Sequence, residues 1–154
     1  MDIYYLDSSA IVKRYVKEKG SEWLNSITDP RKDNLINIVH IGIVEVSAAF
    51  SRKVREGMIS ELERDEALGI FLKDCEEQYQ ISEVNDKIIK SAIDLTCTRT
   101  IRGYDAIQLA TASIINEALT KKDLSPLIFL SADDNLIEAA KENGLLADNP
   151  NLHL

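Results

Sequence analysis

The stretch MDIYYLDSSAIVKRYV, residues 1–16, decides how the rest of the chain is read. Ile3, Tyr4, Tyr5 and Leu6 form a short apolar run that predicts a buried strand. Asp7 follows, then Ser8 and Ser9, then a segment patterned as a helix. A core strand that ends on a carboxylate has two readings. Asp7 caps the helix, because a first-turn acid is favoured by the helix dipole. Or it holds a metal ion. The remaining elements bear on the choice.

Downstream, the apolar side of SSAIVKRYVKE comprises Ala10, Ile11, Val12, Tyr15 and Val16. GSEWLNSI predicts a second helix, with Gly20 closing the first and Ser21 capping the next. TDPRKDN is a turn cluster, and LINIVHI is a β-branched strand. Ile43, Val46, Phe50 and Val54 give a helix ending at Gly57. Ser60 with Glu63 has the spacing of a capping box, opening a helix whose apolar face is Leu68, Phe71 and Leu72. YQISEV predicts a strand. NDKIIKSAIDLTCT is helical, burying Ile88, Ala92 and Leu95. YDAIQLATASIINEAL is an Ala-rich helix, LIFLS a buried strand, and DDNLIEAAKENG a helix closed by Gly144. A short last strand falls near Leu145 to Ala147. Strands alternating with helices predict an α/β fold with a parallel sheet covered on both faces. In such sheets ligand sites form beyond the carboxyl ends of the strands.

With 154 residues, 45% hydrophobic and 29% charged, the chain reads as a single globular domain over residues 1–154. No repeat or low-complexity tract divides it. LINIVHIGIVEV is too short and too interrupted to span a bilayer, and no signal-peptide pattern opens the sequence, so the expected location is cytoplasmic with no membrane partner. Cys75 and Cys97 read as reduced, buried thiols. Net charge is −8, which by itself argues against nucleic-acid binding. The cations are clustered, however: Lys13, Arg14, Lys17 and Lys19; Arg52, Lys53 and Arg55; Arg99 and Arg102. A solvated helix face is the ordinary reading of such runs.

Four acids occupy equivalent places at strand ends or helix starts: Asp7, Glu45 within IVEVSAAF, Asp105 in RGYDAIQLATA, and Asp133 in LSADDNL with Asp134 beside it. Each alone reads as a first-turn acid. Brought to one pocket they would repel and take up protons, a conflict that a divalent cation removes. The donors are all oxygens. His40 and His153 form no HExxH and the cysteines no CxxC, which argues against zinc, and hard carboxylates with water fit Mg²⁺ or Mn²⁺. His40, in an apolar strand, reads as a satisfied core residue.

At these residues the sequence resembles the PIN-domain nucleases, particularly the VapC-like toxins of toxin–antitoxin pairs. YLDSSAIVKRYV resembles their first motif, IVEVSAAFSRKVREG the second, RGYDAIQLATA the third and FLSADDNLIEAAKENGL the fourth. The motifs occur in the family's order, from Asp7 to about Pro150. The segment before Glu45 departs from the pattern, with Ile41 and Gly42 where a Ser or Thr is frequent. The resemblance implies a three-layer α/β/α fold and metal-dependent cleavage of RNA. Asp7, Glu45, Asp105 and Asp133 would hold Mg²⁺ or Mn²⁺ and the attacking water. Ser9 would support the site by hydrogen bonding, with Asp134 an extra neighbour. Arg14, Arg52, Lys53 and Arg102 would face RNA. The resemblance further implies a homodimer, with which Trp23, Phe71 and Leu72 are compatible as exposed apolar residues, and an antitoxin partner able to insert a basic side chain.

Three other readings compete. A haloacid-dehalogenase-type phosphatase needs a second acid two residues after the first-strand Asp, where this chain has Ser9. A receiver domain needs an acidic pair at that strand end and a phosphoacceptor Asp after a central strand, and neither is present. A PIN-fold module that binds RNA or protein without cutting remains open.

Overall fold

The computed structural model describes all of residues 1–154. In chain order the elements are β1 (Ile3–Leu6), α1 (Ser8–Tyr15), α2 (Ser21–Thr28), β2 (Leu35–Val39), α3 (Gly42–Arg55), α4 (Glu61–Glu77), β3 (Gln80–Ser82), α5 (Asp86–Thr98), α6 (Gly103–Lys121), β4 (Leu127–Leu130), α7 (Asp134–Glu142) and β5 (Leu146–Asp148). Single 3-10 turns lie at Pro30–Lys32 and Pro150–Leu152.

The five strands form one sheet, all parallel, in the order β3-β2-β1-β4-β5. β1 is central and buried on both sides. Tyr5 and Ile3 point to one face with Leu127 and Phe129 of β4, where α5, α6 and α7 pack. Tyr4 and Leu6 point to the other with Ile36, Ile38 and Leu130, beneath α1, α2, α3 and α4. The result is a three-layer α/β/α sandwich. Tyr5 pairs in register with Phe129 and stacks on it, ring centroids 5.6 Å apart, so the central strand is fixed by packing as well as by its ladder. No helix is long and apolar enough to cross a membrane.

Local signals set most boundaries. The Ser60–Glu63 capping box opens α4, with both reciprocal bonds at 3.0 Å. Asn85 caps α5 through Ile88 N–H at 2.9 Å. Several expectations need correction. α2 is capped by Gly20 in a left-handed conformation (φ 85°), where a Cβ would stand on the Pro150 carbonyl, while the Ser21 hydroxyl turns back to accept from Glu18 N–H. The buried stripe of α4 is Ala67, Phe71 and Cys75, and Leu72 is 43% exposed. Phe71 is fully buried and Trp23 stacks on His153 at 3.9 Å, so neither offers an exposed apolar surface. His40 lies exposed in the turn after β2, past the last ladder residue. Cys75 is buried as expected, whereas Cys97 is exposed.

Candidate active site

The strand order reverses around β1: β2 and β3 lie to one side, β4 and β5 to the other. The carboxyl ends of β1 and β4 therefore flank the switch-point crevice where α/β sheets bind ligands. Asp7 emerges there. Its N–H extends the sheet by donating to the Leu130 carbonyl at 3.1 Å. Its Oδ1 caps α1 by accepting from Ala10 N–H at 3.0 Å and also accepts from Ser9 Oγ at 2.7 Å. Its Oδ2 accepts from Ser131 Oγ at 2.5 Å. Capping is thus part of what Asp7 does. It does not explain burial, which is close to complete. Burial pushes the carboxyl up to about 6; the Ser131, Ser9 and Ala10 bonds pull it back and the Asp105 charge raises it further.

The other acids reach the same cavity from three helix starts. Glu45 stands exposed in the first turn of α3, and Asp105 half-buried in the first turn of α6. Asp133 is the N-cap of α7, its Oδ1 accepting from Asn135 N–H at 2.9 Å. All four carboxylates line one cavity of about 540 Å³. Burial holds Asp105 above its ordinary range, opposed by Arg102 and reinforced by Asp133 and Glu45. Like charges are therefore gathered here in the fold. They share a wall rather than a point, since no three Asp, Glu, His or Cys side chains converge as a ready ligand cluster. The donor set is nevertheless all hard oxygen, mutually repelling and partly desolvated. That chemistry fits a divalent cation held with water among its ligands.

Ser9 and Ser131 brace the floor. Ser9 Oγ also accepts from Ala132 N–H at 2.9 Å, and Ser131 Oγ from Asp133 N–H at 3.0 Å, so Ser131 bonds directly to two of the four acidic residues. Asp134 turns away to accept from Asn149 Nδ2 at 2.8 Å and does not line the cavity.

Among the basic residues, Arg52 and Arg102 line the cavity, and Arg102 Nε lies 3.5 Å from Asp105 while its side chain is 86% exposed. Arg14 belongs elsewhere. It is held between α1 and the end of α4, donating to Gln78 and to Tyr79 Oη at 2.8 Å each, so it does not face this site.

Sequence reading missed Ser131, Tyr104 and Gln108. Tyr5 Oη donates to Gln108 Oε1, which fixes the amide so that Nε2 donates to Tyr104 Oη at 2.6 Å. Tyr104 Oη and Ser8 Oγ share a hydrogen bond of 2.6 Å on the cavity wall. Only one of the two hydroxyl protons is used in that bond, leaving the other without a protein acceptor. Tyr104 and Gln108 recur at i, i+4 on α6, the one signal that could have paired them. A second cavity of about 660 Å³ continues past Arg102, Asp105 and Asp133 along α7, making an extended trough.

The chain is thus a five-stranded parallel α/β/α sandwich with a carboxylate-lined cavity at its switch point. Solved structures agree. A Pyrobaculum aerophilum protein, PAE2754, aligns with a TM-score of 0.62 at 17% identity, over 95% of this chain and 83% of its own. VapBC2 from Rickettsia felis, solved bound to a DNA fragment from its promoter, gives 0.61 at 18%, over 96% and 98%. Mycobacterium tuberculosis VapC20, described as a sarcin-ricin loop cleaving toxin, gives 0.59 at 13%, over 88% and 94%. The chain has the fold of PIN-domain, VapC-like proteins. No protein-family model matches the sequence. No curated protein matches it either.

Proposed function

We propose that this protein is a VapC-like endoribonuclease whose activity requires Mg²⁺ or Mn²⁺. One observation carries the reading: four carboxylates from four separate elements line a single cavity at the switch point. Helix capping alone does not call for four acids around one cavity, and burial, with a smaller contribution from the neighbouring acids, holds the Asp7 and Asp105 carboxyls up. Asp7, Glu45, Asp105 and Asp133 would hold the cation, directly or through water. A bound divalent ion lowers the pKa of its water and neutralises charge growing on a phosphodiester oxygen. The chain's own residues would do the rest. Ser9 and Ser131 keep both Asp7 oxygens oriented. Arg52 and Arg102 meet phosphate oxygens, and the free hydroxyl proton of the Tyr104–Ser8 pair donates to one of them. An antitoxin protein would silence the enzyme by placing a basic side chain among the acids, and a homodimer is part of the same reading.

The second reading, a silent module that binds RNA or protein, draws on the net charge of −8 and on the lack of a ready three-ligand cluster. Cleavage of a pooled structured-RNA and tRNA mixture with Mg²⁺, with Mn²⁺ and with EDTA separates the two. The nuclease predicts cutting with either metal, none in EDTA, and a fall of at least ~100-fold for Asp7→Asn. Binding without cutting by a folded protein selects the module.

A further inference from the structure

Beside the acidic cavity, and sharing Ser9, Val12, Ala49 and Arg52 with it, lies a smaller recess of about 230 Å³. Its deep wall carries Lys13 from α1 and Lys53 from α3. These lysines are unlike the solvated cations elsewhere on the surface. The Lys13 side chain is 5% exposed and that of Lys53 13%. Both turn to one oxygen, Glu18 Oε2, at 4.0 Å from Lys13 and 3.4 Å from Lys53. Glu18 Oε2 is the carboxylate oxygen nearest both ammoniums, and 4.0 Å is beyond hydrogen-bond reach, so the Lys13 ammonium has no hydrogen-bond partner in the fold while its nitrogen stays accessible to solvent. Arg52 stands at the mouth with no carboxylate within ion-pair distance. Three cations thus face two carboxylates, Glu18 and Glu56, in a chain whose overall charge is strongly negative. Basic residues in the last turns of α1 and α3 are favoured by the helix dipoles. That favours their presence, but does not explain two largely covered lysine stems converging on one oxygen.

We infer that Lys13, Lys53 and Arg52 form a subsite for a backbone phosphate of the RNA strand, next to the one at the four acids. The inference rests on the nuclease reading and extends it: the acids act on one phosphodiester while the recess anchors a neighbouring phosphate and sets the strand's direction across the cavity. Burial lowers the Lys13 ammonium's affinity for its proton, as expected of a cation awaiting an anion. Arg52, lining both hollows, connects the two positions.

The test is equilibrium binding of a fluorescein-labelled, mixed-sequence single-stranded RNA to the full chain in EDTA, followed by anisotropy across a KCl series. Cleavage of the RNA pool with Mg²⁺ or Mn²⁺ is measured in parallel. Lys53→Gln is expected to weaken binding about three- to tenfold and to reduce the slope of log K against log salt by ~0.7, the value for one phosphate on a single strand. Lys13→Gln should do the same. Should that buried substitution unfold the chain, Lys53→Gln and Glu18→Gln still decide. Glu18→Gln removes the competing carboxylate and should tighten binding, a change of sign that lost packing would not produce. If wild type binds and cuts while these variants keep its affinity and slope, the subsite is wrong and the nuclease stands. If wild type neither binds nor cuts, both readings fall.

Discussion

Asp7 carries three accepted hydrogen bonds and a carboxyl raised to about 6. Its folded pKa lies above the ordinary 3.8, so the protonated form is the one the fold prefers. The stability linked to Asp7 is complete below about pH 4 and is lost as pH rises through 6. Asp7→Asn should therefore be more stable than wild type at pH 8 in EDTA, by up to about 3 kcal/mol from the two-unit shift. The gain should vanish at pH 4. Thermal melts of both proteins across that range check it, and a constant difference would refute the carboxyl as its cause. Ser131→Ala probes the same group from its partner. Losing a bond to the ionised form raises the Asp7 carboxyl further, so the acid limb of the cleavage profile should move to higher pH. Stability should fall by about 1–3 kcal/mol as Asp7 and the Asp133 N–H lose a buried partner. An unmoved acid limb would separate Ser131 from the chemistry.

At the scale of elements, the sequence is most readable where the controlling contacts are local. The Ser60 box, the Asn85-led helix and the Gly144 stop each depend on residues within four positions, and each forms as expected. Gly20 differs because its role is decided by Pro150, far along the chain. The two sites should respond differently. Ser60→Ala should lower stability by about 1 kcal/mol and leave cleavage unchanged. Gly20→Ala, forced to a positive φ against a carbonyl, should cost more than that and loosen the carboxyl-terminal turn. Proteolysis followed by mass spectrometry would show cuts near Pro150 first. His40 was misplaced because a β-branched run gives no sign of where its ladder stops. The four acids were legible as a set only through their places at strand ends. Their supports were not, since Ser131 reaches Asp7 across 124 residues and Tyr104 reaches Ser8 across 96. Nothing in a local pattern marks such pairs.

At the scale of the whole molecule, the gathered negative charge would couple folding to any cation the cavity binds. Any ion that binds the folded cavity and not the unfolded chain raises stability by mass action, about 2.7 kcal/mol at a hundredfold excess over Kd. Mg²⁺ or Mn²⁺ should thus raise the Tm of wild type with a dose dependence, and the rise should shrink for Asp105→Asn. A Tm indifferent to both ions up to millimolar levels would count against a metal centre. Monovalent salt should do much less, because it screens surface charge without entering the site.

The placement of β1 in the middle of the sheet has a consequence for how the protein comes into being. β1 has neighbours on both sides, and one of them, β4, is translated some 120 residues later. Until residues 127–133 leave the ribosome, Asp7 has neither its Ser131 partner nor the Asp133 carboxylate, and the cavity has no floor. A nascent chain without β4 therefore lacks the four-acid cavity, which is assembled only once residues 127–133 have emerged. If the protein is the nuclease proposed above, chains stalled or released before β4 would not cut RNA.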